Sequence, residues 1–305
     1  MNNVELRVED ESIRSVRVDV FLSDHAGVLP RNQLKLRAEQ LLVNGKEAKL
    51  SKRVSFGDTI AVTIAPAPDT SYEPEDISLQ ILYEDEFCVV LNKPRGMVVH
   101  PAAGNAHGTL VQGLMFRYEE FRAQRPDNPI RPGIVHRLDK DTSGVIIAGK
   151  DPTSQEYLAS QFRKRRTIKK YYAISKGEIF PTSAVIDSNI RRDPRHRKKF
   201  STTDDGGKTA ETAYRVLSRH DGFSFVSLSP KTGRTHQLRV HMQSLNTPIL
   251  GDPLYARVDT RYPDVPLMLH AYSLTIAIPP DREMKTFRAP LPMDFRAVLA
   301  EVIRR

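Results

Sequence analysis

The sequence predicts an α+β protein: a large domain on a mixed, mostly antiparallel sheet follows a small N-terminal α/β domain. In the large domain, candidate strands outnumber candidate helices and do not alternate with them. The prolines of APAPDTSYEPED predict a semi-rigid linker between the domains. We therefore divide the 305 residues into an N-terminal extension (1–16), a small domain (17–64), a linker (65–76) and a large domain (77–305).

The small domain is predicted to contain two helices and a hairpin. VRVDVFLSDHA and NQLKLRAEQLL both carry apolar residues at helical spacing. The pair Asn44-Gly45 in VNGKEA is the strongest short signal for a hairpin turn. FGDTIAVTI then predicts a strand that is entered through a turn at Gly57-Asp58.

The large domain is predicted to hold seven strands, rich in β-branched and aromatic residues. Four helices are predicted at residues 108–118, 153–165, 235–245 and 293–304. The predicted strands are ISLQILYED, FCVVLNKP, GVIIAGK, YYAISKG, TAYRVLSR, FSFVSLSP and HAYSLTIAIP.

Composition indicates a soluble globular protein, with 39% hydrophobic and 27% charged residues. No apolar run approaches the length of a membrane span, so we expect no membrane partner. The N-terminus is polar and acidic, which is not typical of a signal peptide. The lone Cys88 excludes disulfides within the chain and fits a reducing compartment, so we expect a cytoplasmic protein.

The charge distribution favours a polyanionic partner. The net charge is +9, and residues 76–305 hold 36 Lys and Arg against 25 Asp and Glu, whereas residues 1–75 hold 10 against 12. Basic residues are dense at 30–53, 163–170 and 191–199. One such run can be a solvated face, but three runs on one chain favour nucleic acid.

The segment HRLDKDTSG places Asp139 on a polar loop between two apolar runs, close to Arg137 and Lys140. Loops held by a rigid sheet often carry catalytic groups. The two cations would favour the ionised carboxylate. Asp139 is therefore either a catalytic group or one half of an ion pair that braces a turn.

Two further segments carry candidate functional residues. In TGRTHQLRVHMQSLN, Thr235 is expected to cap a helix, and Arg239 lies on a polar face that could hold a buried carboxylate or contact a phosphate. In TIKKYYAI, strand alternation sends Tyr171 and Tyr172 to opposite faces. One tyrosine should be core, and the other could stack on a base, although two core tyrosines remain the alternative.

Other chemistries find little support in the sequence. The nine histidines show no HExxH pattern, and a single cysteine excludes thiolate metal sites, so we expect no metal. There is no Walker loop, no dinucleotide GxGxxG and no GxSxG elbow. Any chemistry must therefore be performed by side chains alone.

Three motifs occur in order: NKPRGMVVHP, HRLDKDTSG, and TGRTHQLRVHM followed by PILGDPLYA. This set resembles the RluA/RluD-type pseudouridine synthases over about residues 77–300. Residues 17–64 resemble the family's common companion, an S-four-like RNA-binding domain, through R-x-D-x-F-L, a basic second helix, L-V-N-G-K and G-D-x-I. The usual serine-rich helix start is replaced by LPRN at residues 29–32.

The resemblance implies the pseudouridine synthase fold and the isomerisation of uridine to pseudouridine in RNA, with no cofactor. It implies that Asp139 is the essential residue, either as a nucleophile or as a base that yields a glycal. Arg239 would pair with Asp139, Tyr171 would stack on the target base, and Arg137 would help to hold that base out. We expect RNA contacts from Arg137, His136, Arg234, His236, Lys169, Arg163, Arg31 and Lys35.

Three functions remain open. The arrangement of domains favours large-subunit ribosomal RNA as the substrate, while related members act on transfer RNA. A non-catalytic RNA-binding factor for ribosome assembly is the third reading, and the presence of Asp139, Tyr171 and Arg239 together argues against it. No obligate protein partner is evident, and we expect a monomer.

Overall fold

The computed structural model describes residues 2–29, 31–66, 73–102, 104–123 and 132–303. The chain divides into two compact units, residues 1–71 and residues 72–305. Residues 67–72 of the expected linker and Pro30 of the LPRN segment lie outside the described residues. None of the helices in the described ranges is long and apolar enough to cross a membrane.

The first unit contains a four-stranded antiparallel sheet in the order β1-β6-β3-β4. Every second residue of β6 is buried, which places Ile60, Val62 and Ile64 in the core with Leu22 and Leu34 of the helical segments. The elements are β1 (Asn2–Arg7), β2 (Val16–Arg17), α1 (Val18–Val20) with the π-helical turn Phe21–His25, α2 (Arg31–Arg37), β3 (Ala38–Val43), β4 (Lys46–Glu47), β5 (Arg53–Val54) and β6 (Thr59–Ile64).

The predicted hairpin turn joins β3 to β4. Asn44 and Gly45 have φ values of 51° and 72°, as a type I′ turn requires. The Asn44 side chain also donates to Asp58 and accepts from the Thr59 amide, both at 2.8 Å. These bonds tie the turn to the start of β6, so the prediction at this position is confirmed.

Two predictions for the first unit are wrong. Residues 1–16 are not an extension, because β1 pairs along the whole of β6 and Val8 is fully buried. The second predicted helix ends at Arg37, and the residues after it form β3. Leu41 and Val43 alternate into the core beside β6, so sheet pairing overrides the helical spacing of the leucines.

The second unit is built on a mixed sheet of ten strands. Seven of them overlap the predicted strands, and we did not predict β11, β12 and β16. Most residues of β11 and β16 are exposed or half-buried, so these strands lack a strong apolar signal. The strands are β7 (Ile81–Glu84), β8 (Cys88–Lys93), β9 (Ser143–Gly149), β10 (Ile168–Lys176), β11 (Ser183–Arg192), β12 (Phe200–Thr203), β13 (Lys208–His220), β14 (Phe223–Pro230), β15 (Leu269–Ile278) and β16 (Glu283–Arg288).

The strand order is β12-β11-β13-β14-β10-β15-β9-β8-β7, with β16 paired to β15. Only the β15–β9 pair among these strands is parallel. The mixed, mostly antiparallel sheet of the α+β prediction is therefore confirmed. Strand β9 is buried at every residue and lies between β15 and β8, so the loop before it, which carries Asp139, is attached to a fully buried strand.

The four predicted helices are confirmed. A capping box between Thr109 and Gln112 starts α3, and Asp151 caps the first turn of α5 ahead of Pro152. A short helix, α4, was not predicted. The helices are α3 (Leu110–Arg117), α4 (Glu119–Ala123), α5 (Pro152–Arg163), α6 (Gln237–Ser244) and α7 (Met293–Ile303).

Candidate active site

A cavity of about 440 Å³ in the second unit collects most of the predicted site residues. It is lined by the HRLD loop, the end of α5, the start of β10 and the turn before α6. Asp139, Tyr171 and Arg239 all line it, although they are separated by up to 100 positions in sequence. The predicted RNA-contacting residues that also line it are His136, Arg137, Arg163, Lys169, Arg234 and His236.

The loop that carries Asp139 is held by buried contacts on both sides. Leu138 is buried in the core, and the Thr142 amide donates to the Asp139 carbonyl at 3.2 Å. The fully buried ammonium of Lys93 donates to the carbonyls of Lys140, Met97 and Pro94 at 3.0, 2.9 and 2.8 Å. These bonds join the NKPRGM and HRLD motifs into one rigid support.

Burial lowers the pKa of Lys93 to about 7, and the charges of Asp141 and Asp139 oppose that shift. Lys140, which we expected to face Asp139, instead donates to the side-chain carbonyl of Asn105 at 3.3 Å. Lys93 is therefore a buried lysine whose pKa responds to the charge of Asp139.

Arg239 on α6 lies between two carboxylates. Its Nε and Nη2 donate to the two oxygens of Asp252 at 2.7 Å each, and its Nη1 lies 3.6 Å from Oδ2 of Asp139. The side chains of Arg239 and Asp252 are 4% and 0% exposed, whereas that of Asp139 is 21% exposed. Burial opposes the charge of Arg239, but the hydrogen bonds and charge of Asp252, with the charge of Asp139, raise its pKa above the ordinary value.

Tyr171 lies at a β-bulge in β10 and faces the cavity. Burial, and then the charge of Asp139, raise the pKa of its phenol well above the ordinary value. The hydroxyl therefore stays protonated at neutral pH. Tyr172 is half-buried away from the cavity, where its ring lies 4.4 Å from Tyr272 and 5.2 Å from Phe225, so the predicted placement of the two tyrosines on opposite faces is confirmed.

The turn before α6 differs from the prediction in its cap. His236, with φ of 56°, is the N-cap and makes no side-chain capping bond, so the expectation that Thr235 caps the helix is wrong. The side-chain oxygen of Gln237 accepts from the Thr232 hydroxyl and the Arg234 amide instead. Burial lowers the pKa of His236, and its Nδ1 lies 2.9 Å from the Tyr255 hydroxyl.

Several predicted RNA-contacting residues use part of their polar surface inside the protein. Nε2 of His136 accepts from the Ile147 amide at 3.1 Å, and burial lowers the pKa of His136 to about 3, so the ring is neutral. Burial, and then the charge of Arg165, lower the pKa of Lys169 to about 8; its Nζ donates to the Thr232 carbonyl at 3.3 Å.

The predicted contacts of three arginines with RNA remain predictions. Arg163 forms an exposed ion pair with Glu156, and Nε of Arg234 donates to the Thr209 carbonyl. Arg137 is exposed at the cavity.

Arg31 and Lys35 belong to the first unit and do not line the cavity. Arg31 donates to the fully buried carboxylate of Asp19 at 2.9 Å, and Arg17 donates to the same group. This pairing gives Arg31 a structural role that the sequence did not indicate. Lys35 is exposed on α2.

Sequence reasoning missed Lys93, Asp252 and Tyr255. Each lies in a quoted motif, NKPRGM or PILGDPLYA, but nothing local to those motifs identifies their partners. Among the described residues, no group of three or more His, Cys, Asp or Glu side chains is placed to hold a metal ion. Arg239 supplies a positive charge 3.6 Å from Asp139.

Comparison with known proteins identifies the class. Residues 87–244 match the family model described as RNA pseudouridylate synthase. "Ribosomal large subunit pseudouridine synthase D" of Borreliella burgdorferi is 42% identical over 92% of this chain and 88% of its own length. "Uncharacterized RNA pseudouridine synthase YlyB" of Bacillus subtilis is 38% identical over 100% of this chain and 99% of its own length.

A solved structure shows the same fold. "Human RNA Pseudouridylate Synthase Domain Containing 4" superposes with a TM-score of 0.59 and 28% identity, covering 73% of this chain and 92% of that one. The sheet, the cavity and these similarities define an RNA-modifying enzyme, and the chain belongs to the RNA pseudouridylate synthase family. It is an RNA pseudouridine synthase, of the type that the three motifs predicted.

Proposed function

We propose that this enzyme converts specific uridines of large-subunit ribosomal RNA to pseudouridine, with Asp139 as the catalytic residue and without a cofactor. In this reaction the bond from N1 of the base to C1′ of the ribose breaks, and a bond from C5 to C1′ forms. N1 gains a proton and C5 loses one, so the reaction is redox-neutral and consumes no second substrate.

One observation carries the assignment of Asp139. Its carboxylate is 21% exposed at the cavity, while the buried guanidinium of Arg239 lies 3.6 Å behind it. A cation at this distance favours the ionised carboxylate, which is the form that either a nucleophile or a base requires. Attack by Asp139 and proton abstraction to a glycal both fit this geometry.

Tyr171 is well placed to support the target base. Its aromatic ring faces the same cavity as Asp139, and aromatic stacking contributes about 1–3 kcal/mol per base in RNA sites. Its hydroxyl is protonated at neutral pH and can donate to a base oxygen or nitrogen. A uridine that enters the cavity must leave its own stack, which costs a few kcal/mol.

Basic surface in the second unit can supply that binding energy through the phosphates. Residues 163–170 follow α5 at the edge of the cavity, and residues 191–199 run from the end of β11 towards β12. Phosphate contacts fix the register of an RNA without reading its sequence. The first unit, as an S-four-like domain, would add a second RNA contact and raise the effective concentration of the substrate.

The names of the similar bacterial proteins favour ribosomal RNA. The relative with 42% identity carries the name of a large-subunit enzyme, and relatives from Neisseria meningitidis and Nitrosomonas europaea carry the same name at 35–38% identity. Transfer RNA is the competing substrate within this enzyme class.

Mapping of pseudouridine in total RNA tests the proposal. Cells with and without the gene are compared, and the deletion is complemented with the wild type or with Asp139→Asn. We expect sites in large-subunit ribosomal RNA to disappear and to return only with the wild type. Sites lost from transfer RNA would change the substrate, and no lost site would favour an RNA-binding assembly factor.

A further inference from the structure

The segment Gly251–Tyr255, within PILGDPLYA, approaches Arg239 from behind the cavity and does not line it. Its conformation is tightly constrained at Gly251, which has φ of 73°. A Cβ at this position would lie 2.1 Å from the carbonyl oxygen of Pro266. Glycine is therefore required there, and it holds Asp252 in one place behind α6.

The Asp252 carboxylate is fully buried and accepts four hydrogen bonds. Two come from the amides of its own turn, Leu254 at 2.9 Å and Tyr255 at 3.1 Å, both to Oδ1. The other two come from Nε and Nη2 of Arg239 at 2.7 Å. Because the turn amides already orient the carboxylate, the guanidinium can pair with it in only one plane.

Tyr255 supports the same guanidinium from its face. The ring centroid lies 5.1 Å from Cζ of Arg239, within the range of a cation–π contact. The Tyr255 hydroxyl accepts from the Phe200 amide at 2.8 Å and lies 2.9 Å from Nδ1 of His236. The ring is thus fixed at its hydroxyl end. Arg239 is held along its Nε–Nη2 edge by Asp252 and lies within cation–π distance of the Tyr255 ring.

This arrangement decides which part of Arg239 reaches Asp139. The Nε–Nη2 edge is occupied by Asp252, so Nη1 faces Asp139 at 3.6 Å. A side-on fork through Nε and Nη2, which Asp252 uses, is therefore not open to Asp139, and at 3.6 Å Nη1 does not form a hydrogen bond with Oδ2. Asp139 therefore feels the positive charge but keeps its oxygens available for the substrate.

We propose that Asp252 is a positioning residue for the isomerisation: it holds Arg239 by the Nε–Nη2 edge so that Nη1 faces Asp139. Asp252 also pairs with Arg239, so the guanidinium attracts Asp139 less strongly than it would if Asp139 were its only partner. The proposal rests on the function proposed for Asp139. It predicts that Asp252 affects turnover more than RNA affinity, since it touches neither the cavity nor the surface.

The test uses full-length Asp252→Asn on a large-subunit ribosomal RNA substrate, with kcat and KM measured from pH 5 to 9. We expect kcat to fall about 10- to 100-fold with KM changed less than about twofold, because a small misplacement of a catalytic group costs rate and not binding.

Asp259→Asn is the matched control, because Asp259 pairs with Lys176 at 3.2 Å outside the cavity and should leave kcat unchanged. Wild-type kcat in folded Asp252→Asn, or a KM that rises as much as kcat falls, would overturn the proposal. If Asp252→Asn does not fold by circular dichroism, Asp252→Glu decides. It keeps the charge and shifts the guanidinium, so a lower kcat with unchanged KM supports positioning and a wild-type kcat overturns it.

Failure of the underlying function is distinguishable. If the wild-type enzyme forms no pseudouridine, or if Asp139→Asn keeps full turnover, the assignment of Asp139 fails whatever Asp252 does. If Asp139→Asn is inactive and Asp252→Asn is normal, only the positioning role is lost.

Discussion

The two units each bury a cluster of aspartate and arginine, but with opposite stoichiometry. In the first unit, one carboxylate, Asp19, is shared by Arg17 and Arg31, and it is fully buried. In the second unit, one guanidinium, Arg239, is shared by Asp252 and Asp139. Asp19 is paired with two arginines, whereas Asp139 shares one arginine with Asp252 and faces a cavity. The difference separates a structural ion cluster from a reactive one.

The largest effect should come from Asp139→Asn, which breaks the reactive cluster at its exposed end. We expect turnover on ribosomal RNA to fall by about 1,000-fold or more, since removal of an essential nucleophile or base leaves only binding and orientation. RNA affinity and thermal stability should stay close to wild type, because the group is partly exposed. Pseudouridine formation and filter binding measure the two quantities.

Asp141→Asn is the neighbouring control, because Asp141 lies on the same loop and does not line the cavity. Equal loss of turnover in both variants would mean that the loop, and not the Asp139 carboxylate, is what the reaction needs.

The two clusters can be compared by removing one arginine from each, with Arg239→Ala and Arg31→Ala, and measuring the change in the free energy of unfolding. Arg239→Ala leaves the buried Asp252 without its cation and should cost about 3–5 kcal/mol. Arg31→Ala leaves Arg17 on Asp19 and should cost only about 1 kcal/mol, since the Arg31 side chain is 47% exposed. Urea unfolding followed by hydrogen exchange in each unit measures both changes, and equal costs would contradict the distinction.

The structural cluster should also show itself at acid pH. The hydrogen bond from Arg17, opposed by burial and assisted by Arg31, lowers the pKa of Asp19 from 3.8 to about 2. A carboxylate whose pKa is lower in the folded protein stabilises it above the ordinary pKa. That contribution disappears as the pH falls from about 4 through about 2.

Asp19→Asn should therefore lower the stability of the first unit by about 1 kcal/mol at pH 6 and by progressively less towards pH 2. Hydrogen exchange at the amides of β6 reports this unit separately. A difference from wild type that stays constant over this pH range would show that the charge of Asp19 does not matter.

The smallest effect is expected from Lys198→Ala, which removes an exposed cation outside both clusters. We expect RNA affinity to fall a few-fold and the slope of log K against log salt to drop by about 1, because one phosphate contact is lost. Lys285→Ala, on the exposed strand β16, is the control. An unchanged salt slope in Lys198→Ala would remove residues 191–199 from the proposed RNA surface.

Much of the second unit was predictable because its signals are local. Strand β9 is a continuous apolar run, and α5 begins with Asp151 and Pro152 at the cap, so neither element depends on a distant partner for its identity. Strand β3 was mistaken for helix because Leu41 fits both periods. Only pairing with β6 decides between them.

In the site, too, the sequence indicated some residues and not others. Asp139, Tyr171 and Arg239 could be singled out because each stands in a recognisable motif on a loop, a strand or a helix. The partners of the polar groups could not be predicted: Asp252 for Arg239, the Ile147 amide for His136, and Asp19 for Arg31. Each partner is 11 to 13 residues away and meets its group only after the chain has turned back.

The amino-acid sequence by itself determined the mixed sheet and the candidate site residues, because these depend on local backbone preference and side-chain chemistry, while the class of enzyme followed from the resemblance of its motifs to a known family. Only the tertiary structure decided which charged side chains are paired in the interior and which ones line the cavity. The reason is physical: a buried charge must find a partner or pay the full cost of desolvation, and the fold supplies that partner. Arg239 illustrates both contributions: the sequence motif indicates the residue, and the tertiary contact with Asp252 sets its orientation.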